Sequence, residues 1–176
     1  MNGKDRKAVL TGQLADHVLV HGLGGANLRP LAAAVGTSDR MLLYYFPDKA
    51  ALIAAVLEEV AARMTVMLDL QRGDQPVTAA TLEGRMMPLV FDPAVWPFMQ
   101  LWLEIAALAA RGDETCAIVG NGIAQGFVDW LESQLDIADP AVRGDTALQL
   151  LMKIEGGVLL KSLGLGQRIA ALTQPG

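Results

Sequence analysis

Five side chains able to recognise a polyanion or a base edge crowd into GTSDRMLLYYFPDK, residues 36–49: Asp39, Arg40, Tyr44, Tyr45 and Lys49. A guanidinium can bond the edge of a guanine in two places, a carboxylate accepts from the amino group of cytosine, and phenolic hydroxyls bond phosphate oxygens. Lys49 stands at the expected start of a helix, where the dipole also favours an anion. Duller roles compete, since a tyrosine pair also packs a hydrophobic seam and an aspartate at a helix start also caps it. Catalysis finds less material. Both histidines, His17 and His21, fall in the first 21 residues and the single cysteine, Cys116, lies among apolar neighbours, so neither a His-based nor a Cys-His arrangement assembles readily. The histidines are four apart, a spacing that suits a metal, but no third ligand is near and structural histidines are commoner. The expectation is a chain without catalytic residues, metal or cofactor.

Such a cluster acts only if the surrounding elements hold it outward. Leu10, Leu14 and Val18 recur at steps of four in a first helix that Gly22 to Gly25 end. Asn27 suits the N-cap of a short second helix, LRPLAAAV, which tolerates Pro30 in its first turn and stops at Gly36. Thr37 and Ser38 can cap a third helix reaching about Tyr45. Pro47 and Asp48 then recap the chain into a fourth, whose stripe is Leu52, Val56, Val60, Met64 and Met67 or Leu68. Small residues Ala32 to Ala34 and a glycine that tolerates positive φ let the two short helices cross closely, which is helix-turn-helix geometry. Leu31, Val35 and Leu42 form the expected seam. Ser38, Asp39, Arg40 and Met41 then lie on the outer, N-terminal part of the third helix, the part that reaches base edges when such a helix enters a major groove.

Composition bounds the rest. Of 176 residues 52% are hydrophobic, which excludes a disordered chain. The longest apolar stretch, WPFMQLWLEIAALAA from Trp96, is broken by Gln100 and Glu104 and falls short of the roughly 20 residues of a bilayer span. Those two polar residues are read either as a solvated stripe or as polar groups in a ligand cavity. No secretory signal is recognisable, and one cysteine makes no internal disulfide, so a cytoplasmic setting is expected. Residues 1–49 hold six basic and four acidic side chains, +2, against −7 for the remainder. Chance accounts for so small an excess, yet an acidic protein can bind a polyanion when its cations sit at the contact.

After the loop QRGDQP, four further helices are expected at 77–90, about 94–110, 114–135 and 141–163, with Pro97 marking either the start of the sixth helix or a kink in it. The fold class is all-α. The division expected is a helix-turn-helix domain over 1–48 and a helical domain over 49–176, linked by the fourth helix.

The segment from about Leu10 to Leu57 resembles the TetR-type transcriptional regulators, through LRPLAAAVGTSDRMLLYYFPDKAAL: an Leu-Arg start, an alanine-rich helix, a Gly-x-Ser turn, an aromatic-x-Phe end, then Lys and Leu. Carried over by position, the resemblance implies that Arg29, Ser38, Asp39, Arg40, Met41, Tyr44, Tyr45 and Lys49 contact DNA. Leu43 departs from it, standing where the family usually has a tyrosine, and a common phosphate contact is thereby missing or taken over by Tyr44. The remaining helices match in length and order, and in the family they bind an effector and dimerise.

Methionines and rings at Met64, Met67, Met86, Met87, Trp96, Met99, Trp102 and Phe127 are read either as core packing or as the lining of a pocket for a small, mostly apolar effector. A homodimer is expected through the last two long helices. Its faces would be Ile123, Phe127, Trp130 and Leu131 with Leu148, Leu151, Ile154 and Val158, and Gly156 and Gly157 would permit close approach. The function expected is a repressor released from a palindromic operator by an effector. Alternatives are a constitutive DNA-binding regulator and, distantly, a helical carrier or enzyme.

Overall fold

The computed structural model describes residues 3–24 and 26–173, and among these the backbone is helical apart from turns and one isolated bridge between Val77 and Leu135. The chain forms two compact units, Met1–Met67 with Gln100–Asn121, and Leu68–Met99 with Gly122–Gly176. The first unit therefore extends beyond the segment 1–48 and takes in most of the fourth helix.

That first unit contains α1 (Gly3–His21), α2 (Leu28–Ala34), α3 (Asp39–Tyr45), most of α4 (Lys49–Asp69), and the parts of α6 (Trp96–Ala110) and α7 (Glu114–Gln134) that fall within 100–121. Its interior is assembled from the periodic leucines and valines: Leu10, Leu14 and Val18 of α1, Leu31 and Ala32 of α2, Leu42 of α3, Phe46, and Leu52, Val56 and Val60 of α4 are all buried. Met64 and Met67 are only half-buried, so the deep stripe on α4 ends before them and resumes at Leu68. Arg63 of α4 reaches across to α1, donating to Asp16 Oδ1 at 2.6 Å and to the Gly12 carbonyl at 3.0 Å, and also to Glu59 at 2.9 Å. These contacts are part-exposed and orient α1 and α4 more than they stabilise them.

Turn chemistry places α3. Gly36 takes φ +63°, and a Cβ there would meet nothing within 4 Å, so glycine is required by backbone conformation rather than by space. Thr37 N–H donates to Ala32 O (2.9 Å) and Gly36 N–H to Ala33 O (3.2 Å), the pair of bonds that closes a helix end through a left-handed residue. Ser38 follows in extended conformation, and its Oγ accepts from Met41 N–H at 3.2 Å to start α3. Asp48 starts α4 in the same way, accepting from Ala51 N–H at 2.7 Å. Asn27 differs from expectation. Its backbone has N-cap geometry, but its side chain makes no capping bond and instead accepts from Lys49 Nζ at 3.2 Å.

The second unit contains α5 (Ala79–Phe91), the remainder of α6 and α7, α8 (Pro140–Leu160), a π-helical turn at Lys161–Leu165 and α9 (Gly166–Thr173). Three expected boundaries are corrected here and an open one, at Pro97, is decided. Val77 is not helical, because its backbone pairs with Gln134 O (2.8 Å) and Asp136 N–H (2.9 Å), and Thr78 caps α5. Pro97 is the second residue of α6, where its missing N–H leaves no bond unmade, so it marks a start and not a kink. The eighth helix begins at Pro140 behind Asp139, whose carboxylate accepts from Ala141 and Val142 N–H. It ends at Leu160, before the expected 163: the backbone loosens into the π turn, reverses at Gly164 with φ +89°, and continues as a ninth helix not anticipated from the pattern.

The faces expected to pair two copies are also redistributed. Trp130 and Leu131 of α7, and Leu151, Ile154 and Val158 of α8, are buried within the single chain. Gly157 is buried for the same reason: a Cβ there would come within 2.8 Å of Met87 Cε, so the glycine lets α8 lie against α5. What α8 turns outward is a second stripe, Leu148, Met152 and Leu159, continued by Leu163, and Gly156 stands beside it with nothing within 4 Å of a built Cβ.

Candidate nucleic-acid interface

Leu42 has no exposed surface, and this single deep anchor determines which way the rest of α3 points. By helical spacing Arg40 and Tyr44 lie opposite it. Tyr44 is 78% exposed, whereas Tyr45 is half-buried and packs edge-on against the Tyr44 ring with centroids 5.0 Å apart. The two roles considered for the tyrosine pair are thus divided between its members: Tyr45 packs and Tyr44 is presented. Asp39 is exposed in the first turn, and the capping role belongs to Ser38, which leaves the Asp39 carboxylate open to solvent. Arg29 on α2 and Arg40 on α3 are exposed and face no carboxylate among the described residues. Met41 is exposed beside them.

Lys49 is exposed at the first residue of α4 and held to Asn27 Oδ1, so its ammonium is fixed beside the start of α2. Lys7 was not singled out in the sequence. Its Nζ lies 4.9 Å from the centre of the Phe46 ring, presenting another cation beside the α3–α4 turn. No local motif marks it, because the contact joins α1 to a residue 39 positions later. The expected DNA-contacting residues therefore lie within three successive elements, Arg29 at the start of α2, Ser38 to Tyr45 along α3 and Lys49 opening α4. A surface carrying two exposed guanidinium groups, an exposed phenol and two ammonium groups is suited to phosphates and base edges.

The other candidates fall elsewhere. The His17 and His21 rings lie side by side, tilted by 41° with centroids 4.4 Å apart; burial, and then the neighbouring His21, hold His17 below its ordinary pKa. Among the described residues no group of three metal-ligating side chains forms. Glu104 takes neither of the roles considered for it. Its Oε2 accepts from Leu23 N–H at 2.7 Å, and it lies so close to Gly22 that a Cβ there would sit 2.5 Å from the carboxylate oxygen. Gly22, at φ +72°, thus ends α1 and makes room for the bond that fixes the turn into α2.

The methionine and aromatic set is not gathered in one place. Met64, Met67 and Trp102 belong to the first unit; Met86, Met87, Trp96, Met99 and Phe127 belong to the second. Met86 and Met87 are core residues, Phe127 stacks on Trp130 at 6.3 Å, and the Trp96 face is covered by Lys161 Nζ at 3.8 Å. That same ammonium donates to the Phe91 carbonyl at the end of α5, and burial lowers its pKa, with Asp92 opposing. The first unit has a cavity of about 410 Å³ between Leu23, Lys49, Ile53, Leu108, Asp113 and Cys116, lined by none of the eight. No helix among the described residues is by itself long and apolar enough to cross a membrane.

No known family model matches the chain, and no curated protein matches it. Solved structures do. One, assigned to the TetR-family transcriptional regulators and from Rhodococcus sp., aligns at a TM-score of 0.68 and 19% identity over 88% of this chain and 86% of that one. A transcriptional regulator from Pseudomonas aeruginosa PAO1 aligns at 0.67 and 21% identity over 98% and 90%. The fatty acid degradation regulator FadR from Bacillus halodurans aligns at 0.56 and 15% identity over 100% and 97%. At such identities the likeness concerns architecture, and in architecture the chain has the all-helical fold of the TetR-type transcriptional regulators.

Proposed function

We propose that the protein is a DNA-binding transcriptional regulator that acts as a homodimer on a palindromic operator, and that it is a repressor released by a small, mostly apolar effector. The observation that carries the DNA-binding reading is the outward face of α3, with Arg40 and Tyr44 opposite the buried Leu42 and no carboxylate set against the arginine among the described residues. Arg40 and Asp39 supply base recognition, with Ser38 and Met41 beside them. Arg29, Tyr44 and Lys49 supply phosphate contacts, with Tyr45 packed against Tyr44. The homodimer reading is supported by the outer stripe of α8, where Leu148, Met152 and Leu159 are exposed over a length that suits pairing with a second copy. Two-fold symmetry would then place two copies of α3 in successive major grooves, roughly 34–36 Å apart.

Selection of duplexes from a random pool by the purified protein tests this. The expected product is a palindrome bound with strong salt dependence, and binding that is equal on all sequences would overturn it. The effector reading is supported by the half-buried Met64 and Met67 of the first unit, whose adaptable side chains suit an apolar molecule. It requires reciprocity: moving occupancy from 99:1 to 1:99 takes about 5.5 kcal/mol of differential affinity, and operator DNA must weaken ligand binding by the same factor. A compound that quenches tryptophan fluorescence equally with and without operator is no inducer. The constitutive alternative is favoured by Met86 and Met87, which are spent in the core of the second unit.

A further inference from the structure

Met41 and Leu43 flank the outward pair of Arg40 and Tyr44 on the two sides of α3, and each is 44% exposed. Scattered apolar residues are ordinary on protein surfaces. Here, however, two stand on a seven-residue helix beside an arginine that faces no carboxylate among the described residues. They cannot be turned inward by rotating the helix, because that would withdraw Leu42 from the core. In the major groove each base pair presents hydrogen-bonding groups, and the one apolar group at a base edge is the C5 methyl of thymine. An apolar side chain next to a guanine-reading arginine has that methyl as its one chemical match among base edges.

We infer that Leu43 and Met41 read thymine methyls on base pairs adjoining the guanine contacted by Arg40, so that each operator half-site carries a guanine with thymines beside it. The inference rests on the DNA-binding reading above.

The experiment begins with duplexes enriched from a random pool by the full-length protein. Each thymine of the enriched half-site is replaced in turn by uracil, which lacks the methyl and keeps every hydrogen-bonding group. Affinities are measured for the wild type, Leu43→Ala and Met41→Ala, with circular dichroism confirming that both variants are folded. The wild type should lose about fourfold at one thymine through Leu43 and about fourfold at another through Met41. Leu43→Ala should be indifferent to uracil at the first and Met41→Ala at the second. Enriched duplexes whose binding ignores every thymine methyl, or losses that persist undiminished in both alanine variants, overturn the inference and leave DNA binding standing. A pool that enriches no sequence at all overturns the DNA-binding reading and this inference with it.

Discussion

α3 and α8 both turn apolar residues to solvent, and the company those residues keep differs. On α3, Met41 and Leu43 alternate with Arg40 and Tyr44, a chemically mixed face on a helix anchored by one buried leucine. On α8 the outer stripe carries Leu148, Met152 and Leu159, interrupted by Glu155, and the opposite face buries Ala147, Leu150, Leu151, Ile154 and Val158. A mixed face fits a surface that is itself mixed, as a nucleic-acid groove is. A mainly apolar face fits another such face, and a second copy of the same helix supplies one. Exposure by itself says little; the pattern of neighbours says what would cover it.

The orientation of α3 depends first on its buried anchor. Leu42→Ala should cost about 2–5 kcal/mol, the range for emptying a buried leucine site, and should abolish DNA binding through loss of α3 orientation. Thermal unfolding checks the stability, and an unchanged melting curve would show that α3 is not held by this residue. On α8 the matching change is Met152→Glu, which places a charge on the outer stripe. The single chain should keep its helicity while dimerisation weakens by about 3 kcal/mol or more, on the order of a hundredfold, since a charge would be buried unpaired. Sedimentation at several concentrations decides it, and a variant that sediments as the wild type places the dimer face elsewhere.

Smaller effects sharpen the assignment of base and backbone contacts. Arg40→Ala should lose about 1–3 kcal/mol on the selected operator and relax preference at one base pair per half-site. Lys49→Ala should weaken all sequences alike and reduce the salt slope by about one per site. Equal losses on specific and random DNA in both variants would remove Arg40 from base reading.

The smallest effect concerns Cys116, buried beside Asp113 in the first unit. Burial, and next the Asp113 carboxylate, push its thiol up to about 11. The neutral thiol is thus favoured by folding. Its contribution to stability is complete below the ordinary thiol range and is lost as pH rises toward 11. Alkylation of the native protein at pH 8 should run about a hundredfold slower than that of the unfolded chain, through the thiolate fraction alone. Equal rates would contradict that environment.

Local signals determined much of this protein before any tertiary contact was known. Gly36 and Ser38 end one helix and start the next through bonds spanning five residues or fewer, so the turn and both short helices were legible in the letters themselves, as were the buried Leu10, Leu14, Leu42 and Leu52. The outward set from Ser38 to Lys49 followed, because the place of Leu42 in the pattern determines what lies opposite. Tertiary structure decided the rest. On α8 both stripes are mainly apolar, so periodicity could not say which one faces inward; the choice came from α5, whose Met87 and Phe91 lie against Gly157. Val77 left its expected helix for a backbone partner 57 residues later, and Glu104 bonded a turn 81 residues earlier. Periodicity and capping report what a residue's neighbours in sequence allow, whereas burial on one of two equivalent faces and a carboxylate's choice of donor depend on which distant segment arrives beside them.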